Sequence, residues 1–257
     1  ETLEDRHLLT GFTAYGSLYT GESSNLNVTR YGDMAGIDSA GPLVDIESGV
    51  ATDVQVSVSS VGVSFGGQGT SPSPNSPAGQ VFSDFIDFDG ADRRTIEIST
   101  GDAYQYSFEN LDTGALYDFV GTGVRGNANY SNRWTLVELQ GADSFEIAHL
   151  DGDGIYRAGL ADNQVAIWFG DNTQFDQGHI AQWTDIDPGD DGEFAIVQTQ
   201  YVGTIPSIID DRGVAGGNKG YGISAFRLIV QTPAGPPAVA NVAASEVSAT
   251  SAILNGL

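Results

Sequence analysis

Three tryptophans and one arginine-bearing segment are the residues best suited to chemistry in this chain. Trp134, Trp168 and Trp183 are its indoles, and a flat indole offers the apolar face on which a sugar ring stacks. Within residues 125–134 stand Arg125, Tyr130, Arg133 and Trp134, with Asn127, Asn129, Asn132 and the permissive Gly126 between them. An arginine forks two hydrogen bonds to a sulfate, a carboxylate or a vicinal pair of hydroxyls. Trp183, Trp168 and Trp134 are therefore the candidate stacking platforms, with Arg133, Arg125 and Tyr130 as polar and edge contacts. Each has a competing reading. A tryptophan is commonly packed inside, and an arginine among so many carboxylates commonly ends in an internal ion pair.

Carboxylates form the second group, gathered at Asp84, Asp87, Asp89 and Asp92, at Asp151, Asp153 and Asp162, and from Asp185 to Glu193. Asp151-Gly152-Asp153-Gly154 looks like the opening of an oxygen-ligand calcium loop, so Asp151 and Asp153 are the candidate ligands of one structural Ca2+. The downstream bidentate glutamate of an EF-hand is missing, and turn-forming chemistry is the plainer use of these aspartates. A glycosidase needs an acid and a base facing each other across a cleft, which sequence spacing does not reveal. His7, His149 and His179 form no zinc-binding pattern, and no Gly-x-Ser-x-Gly elbow is present. No cysteine exists to act as a nucleophile. A catalytic role is left without a supporting motif.

The elements that must position these residues announce themselves by alternation. Val54, Val56 and Val58 alternate with Gln55, Ser57 and Ser59; Tyr104, Tyr106 and Phe108 alternate with Gln105, Ser107 and Glu109. A period of two is the mark of a half-buried strand. Strands are predicted near 7–15, 25–31, 43–48, 53–65, 80–88, 94–98, 103–109, 116–124, 133–140, 144–149, 164–169, 194–202 and 221–231. Turn clusters such as Asp89-Gly90 and Asp112-Thr113-Gly114 separate them. In 53–65 the apolar phase changes between Val58 and Val61, which predicts a β-bulge or bend near Ser59-Ser60. In 164–169, Val165, Ile167 and Phe169 take the core face and leave Trp168 on the opposite one. Segment 66–79, rich in Gly, Ser and Pro, is predicted to be a long exposed loop. No three-turn helical pattern is visible. The fold expected is an all-β, two-sheet antiparallel sandwich over 1–231.

Composition narrows the partners. There are 34 acidic residues against 10 basic ones in 257, a formal net charge of −24. Such a chain repels nucleic acid and anionic membranes, and no apolar run is long enough to span a bilayer. The lysine-poor, acidic, strand-rich composition favours a secreted protein living in salty water.

Two resemblances sharpen the picture. After the Pro-rich linker 232–238, residues 239–257 (Val239-Ala240-Asn241-Val242 through Thr250-Ser251-Ala252-Ile253-Leu254) resemble the first two strands of a fibronectin type III module, cut short. Three further pieces are similar to galactose-binding-like jelly-roll modules of bacterial polysaccharide degraders. They are Phe108-Glu109-Asn110-Leu111-Asp112 leading to Tyr117-Asp118-Phe119, read as a hairpin; Gly123-Val124-Arg125 with Asn132-Arg133-Trp134-Thr135; and the closing Gly222-Ile223-Ser224-Ala225-Phe226-Arg227-Leu228. The resemblance implies a jelly roll that binds a polysaccharide without catalysis. It also implies a module, monomeric within a larger chain, that targets a secreted enzyme, most simply to a marine algal polymer. A structural or adhesive surface protein, and a jelly-roll lyase or hydrolase, are the alternatives. Both a sulfated polymer gripped by Arg125 and Arg133 and a neutral one stacked on tryptophan fit the sequence, with the lean toward the anionic one.

Overall fold

Alternation becomes architecture in two antiparallel sheets laid face to face. The structure is a computed structural model; it describes residues 11–18, 25–31, 39–68, 70–88, 94–123, 125, 133–149, 151–152, 154–169, 178–206 and 219–231. In chain order the strands are β1 (Thr13–Ser17), β2 (Thr29–Arg30), β3 (Ser39–Val44), β4 (Ala51–Val61) and β5 (Ser64–Gln68). The helix α1 (Pro77–Phe82) intervenes before β6 (Arg94–Ile98), β7 (Ala103–Glu109), β8 (Leu116–Thr122) and β9 (Trp134–Gln140). The remainder are β10 (Ser144–Ile147), β11 (Ile155–Tyr156), β12 (Gln164–Trp168), β13 (Ala181–Asp187), β14 (Phe194–Gln200), β15 (Gly220–Tyr221) and β16 (Ala225–Gln231). One sheet runs β10-β13-β8-β16-β1-β2, the other β11-β12-β9-β14-β7-β4-β3, and a small third sheet runs β15-β6-β5.

The connectivity is that of a jelly roll. β1 pairs with β16, β7 with β14, β8 with β13, and β9 with β12. The chain is thus folded back on itself once and then rolled, so that partners far apart in sequence lie side by side within each sheet. The core between the sheets is built from the positions the alternation selects. Val54, Val56 and Val58 of β4, Tyr104, Tyr106 and Phe108 of β7, and Val165 and Ile167 of β12 are all buried there. Phe226 sits at its centre, with ring contacts to Tyr31, Tyr106, Phe108 and Phe119. The Tyr106 hydroxyl keeps a partner inside by donating to the Ile223 carbonyl at 2.7 Å, as a buried polar group must.

Four sequence expectations are corrected. Segment 80–88 is not a strand: Ser76 caps α1, accepting the Gly79 amide at 3.1 Å, with Pro77 in the first turn. Ala78 and Phe82 then share one helical face and pack with Ile86 beyond the helix end, a pattern too short to register as three turns. Nor is 66–79 an exposed loop throughout, because Gln68 still lies in β5, and Pro72, Ser76, Ala78 and Gly79 are buried. The phase change after Val58 is neither a bulge nor a bend at Ser59-Ser60. β4 stays in unbroken register with β7 to Val61, and Gly62, at φ +75°, then turns the chain into β5 of the third sheet. Finally, Phe108 to Phe119 is no hairpin, since β7 and β8 lie in opposite sheets. It is an arch, turned by Asn110 at φ 59° and braced by the Asp112 amide donating to the Tyr117 hydroxyl at 2.7 Å. Strand β13 was not foreseen. The stretch 7–10, the linker 232–238 and the fibronectin-like 239–257 lie outside the described residues.

Candidate functional site

The two sheets differ in what covers their outer faces. On the six-stranded sheet, Tyr15, Val120 and Ala225 point outward and are roofed by α1 and the turns after it. Ala78, Phe82, Ile86 and Phe88 complete that cluster, and Tyr15 stacks on Phe85 at 4.3 Å between ring centroids. No comparable layer of described residues roofs the middle of the seven-stranded sheet.

Register turns its outward residues into rows that cross the strands. One row is Val61, Ala103, Thr199, Leu136 and Ala166, on β4, β7, β14, β9 and β12 in spatial order. The next is Ser59, Gln105, Val197, Glu138 and Gln164, and beyond it come Ser57, Ser107, Ala195 and Gln140. A largely aliphatic row therefore lies beside an amide-rich one. Val61 is 67% exposed, Ser59 is exposed, and the other members of the first two rows, apart from buried Ala166, are half-buried. Glu138 is the one charged side chain in these three rows. Its two carboxylate oxygens accept the side-chain amides of Gln140 at 2.7 Å and Gln164 at 2.6 Å. Gln105 donates to the Ser107 hydroxyl at 2.6 Å. In a chain of net charge −24, so quiet a surface is the anomaly of the molecule.

An aromatic ridge closes the end of this face. Trp134 and Trp168 stand opposite each other in register on β9 and β12, and with Ala166 and Ile205 they form a separate buried cluster. Tyr156, Leu160 and Tyr201 pack over it, half-buried. The rings of Tyr156 and Tyr201 are 6.1 Å apart and tilted by 51°. Partial burial and the neighbouring Tyr156 push the Tyr201 hydroxyl above its ordinary pKa. These two tyrosines were missed by reading the sequence for tryptophan.

The sequence-selected residues are scattered rather than gathered. Trp183, 0% exposed, belongs to the core between the sheets, against Phe119. Its ring has no face open to a ligand. Trp168 is indeed on the outer face, as alternation requires, but is 4% exposed, and Trp134 is 1% exposed. Both support the tyrosine ridge from below instead of being platforms themselves. Arg125 is 8% exposed; it donates to the Gly66 carbonyl at 2.8 Å, lies 3.6 Å from Glu97, and is 5.5 Å over the Tyr221 ring. Lys219 also pairs with Glu97. Arg133 is 9% exposed. Burial pushes the Tyr221 hydroxyl up, while Arg125 and Arg133 beside it pull it back. The arginines thus knit the third sheet to the sandwich. Tyr130 lies outside the described residues.

Asp151 closes its own loop: its Oδ1 accepts the backbone amides of Arg157 and Ala158. Asp153 lies outside the described residues, and among the described residues no group of three or more His, Cys, Asp or Glu side chains is placed to hold a metal ion. Nearby, His149 accepts the Gln182 amide at 2.7 Å through Nε2, and the half-buried His179 ring lies against Gly154. Burial drives both imidazoles down to about 4, with Arg157 pressing further on His149.

Set against protein-family models, curated proteins and solved structures, the chain matches none.

Proposed function

We propose that this protein binds carbohydrate without catalysis, and that it does so on the open face of the seven-stranded sheet. The observation that carries the reading is that face itself. Aliphatic and amide rows run side by side, ending at the Tyr156–Tyr201 ridge, on a molecule whose remaining surface is strongly acidic. Sugars present hydroxyls at their rim and C–H groups on their faces. Amide side chains serve the first, and apolar or aromatic groups the second. The three segments that resemble galactose-binding-like modules support the same class, and the jelly roll is the architecture they imply. On this reading the protein is extracellular and holds a larger secreted enzyme to its polymer.

Affinity electrophoresis against a panel of plant and algal polysaccharides, paired with a reducing-end assay, tests it. Retardation by at least one polymer without release of reducing ends is expected. Retardation with release would make the protein an enzyme. Migration unaffected by every polymer would contradict carbohydrate binding and leave the adhesive role.

A further inference from the structure

We infer that the polymer recognised here is uncharged and extended, and that it lies across the strands from β4 to β12, along the seam between the Val61–Ala166 row and the Ser59–Gln164 row. The inference rests on the carbohydrate reading and narrows it to a ligand class and a binding direction.

Charge decides the class. Along both rows the described residues carry no Lys, Arg or His, and the single carboxylate, Glu138, is held on both oxygens by glutamine amides. A sulfated or carboxylated polymer needs cations within hydrogen-bonding reach to replace its lost hydration. None is offered on the track, and the global charge of −24 repels such a polymer during approach. Arg125, the guanidinium on which an anionic ligand would depend, is buried against Glu97 and the Gly66 carbonyl at the third sheet. A cationic polymer would be drawn to the acidic remainder of the surface, and not to this face.

Register decides the direction. Along a strand the outward residues pass from aliphatic to polar: Val61 to Ser59 and Ser57 on β4, or Leu136 to Glu138 and Gln140 on β9. Across the strands one row keeps its character, aliphatic groups with one hydroxyl, and its neighbour is mostly polar, with a hydroxyl, two amides and the amide-bound Glu138 interrupted only by Val197. A chain needing a continuous apolar contact with hydrogen bonds along one flank meets both only by crossing. From β4 to β12 is four inter-strand steps, roughly 19 Å at the usual sheet spacing. That length accommodates several sugar residues, so affinity must grow with oligomer length until the track is filled.

The test uses the full chain. One neutral polymer that retards it, and the sulfated and carboxymethylated derivatives of that polymer, are compared at low and high salt. Oligosaccharides of increasing length are then titrated against wild type, Val61→Asp, Gln164→Glu and the remote control Ser144→Asp. Expected are at least tenfold weaker binding of both derivatives at low salt and little salt dependence for the neutral form. Val61→Asp and Gln164→Glu, at opposite ends of the track, should each lower affinity for long oligomers at least fivefold and for the shortest less. The unfolding midpoint should stay unchanged for Val61→Asp and fall for Gln164→Glu, which sets a second carboxylate against Glu138. Preference for a charged derivative, or equal losses at every length, would overturn the inference while carbohydrate binding stands. Failure of every polymer to bind would remove the carbohydrate reading with it. A concentration-dependent dimer abolished by Gln105→Arg would assign the face to a second copy instead.

Discussion

Trp183 and Tyr201 show how a residue's type and its role come apart. Both are aromatic and both sit on strands or at their ends, yet one ring is sealed between the sheets and the other is half-buried on the outer face. Trp183→Ala would leave a cavity beside Phe119 and is expected to lower unfolding free energy by about 3–5 kcal/mol. Tyr201→Ala is expected to weaken polymer binding by about 1–3 kcal/mol, scaled from ring stacking on comparable platforms, with a smaller change in unfolding. Urea unfolding and affinity electrophoresis on the same two variants separate these outcomes. Equal effects of both substitutions on binding would contradict the assignment. In the sequence, alternation places Val165, Ile167 and Phe169 inside and Trp168 outside, as found. It could not show that residues 201–205 fold back over Trp168 and bury it, because that contact joins segments far apart in the chain.

At the scale of elements, α1 and the segment entering β13 do more than connect. α1 covers the apolar outer face of the six-stranded sheet, so Phe82→Ala should cost about 3–5 kcal/mol and expose Val120 and Tyr15. Dye binding by exposed apolar surface alongside a lowered melting temperature is the expected readout. The segment 178–182 is fixed from several sides: Gly178 accepts the Ala78 amide, His179 accepts the Thr122 hydroxyl, and Gln182 donates to His149. His149 and His179 are held near 4, below the ordinary histidine value of 6.5. They are therefore neutral when folded and free to take up protons when unfolded. Their contribution is full above pH 6.5 and is lost as pH falls toward 4, at about 1–3 kcal/mol for each. His149→Gln, whose carbonyl oxygen can still accept the Gln182 amide, should flatten the pH dependence of urea unfolding between pH 6.5 and 4.5. An unchanged slope would show that His149 ionises freely in the folded chain. The strand β7 was legible because it is one clean run of alternation, and β6 and β9 because each is a short β-branched or apolar run, although Leu136 and Val137 of β9 face opposite sides. The helix was not, because Pro74 and Pro77 read as loop and its single turn and a half is too short for periodicity.

For the whole molecule, the all-β sandwich was legible from alternation; the jelly-roll connectivity was expected through the resembling segments, of which Phe108 to Phe119 was read as a hairpin and is an arch between the sheets. The site was legible only in part. Outward positions in the middle of β4, β7, β9 and β14 could be read as mostly Ser, Gln, Thr, Val, Leu and Ala, with Glu138 the exception, but their alignment into rows depends on register across five strands, which no local pattern carries. The long-range field of so acidic a chain is screened at high ionic strength, so a neutral ligand should bind almost equally in dilute buffer and in concentrated salt. The claim that the open face of the seven-stranded sheet is the binding surface is met most directly by amide chemical-shift mapping with a bound oligosaccharide. The perturbed amides are expected to cluster on β4, β7, β14, β9 and β12 and at Tyr156 and Tyr201. Perturbations confined to the α1 face or to residues around Arg125 and Arg133 would contradict it.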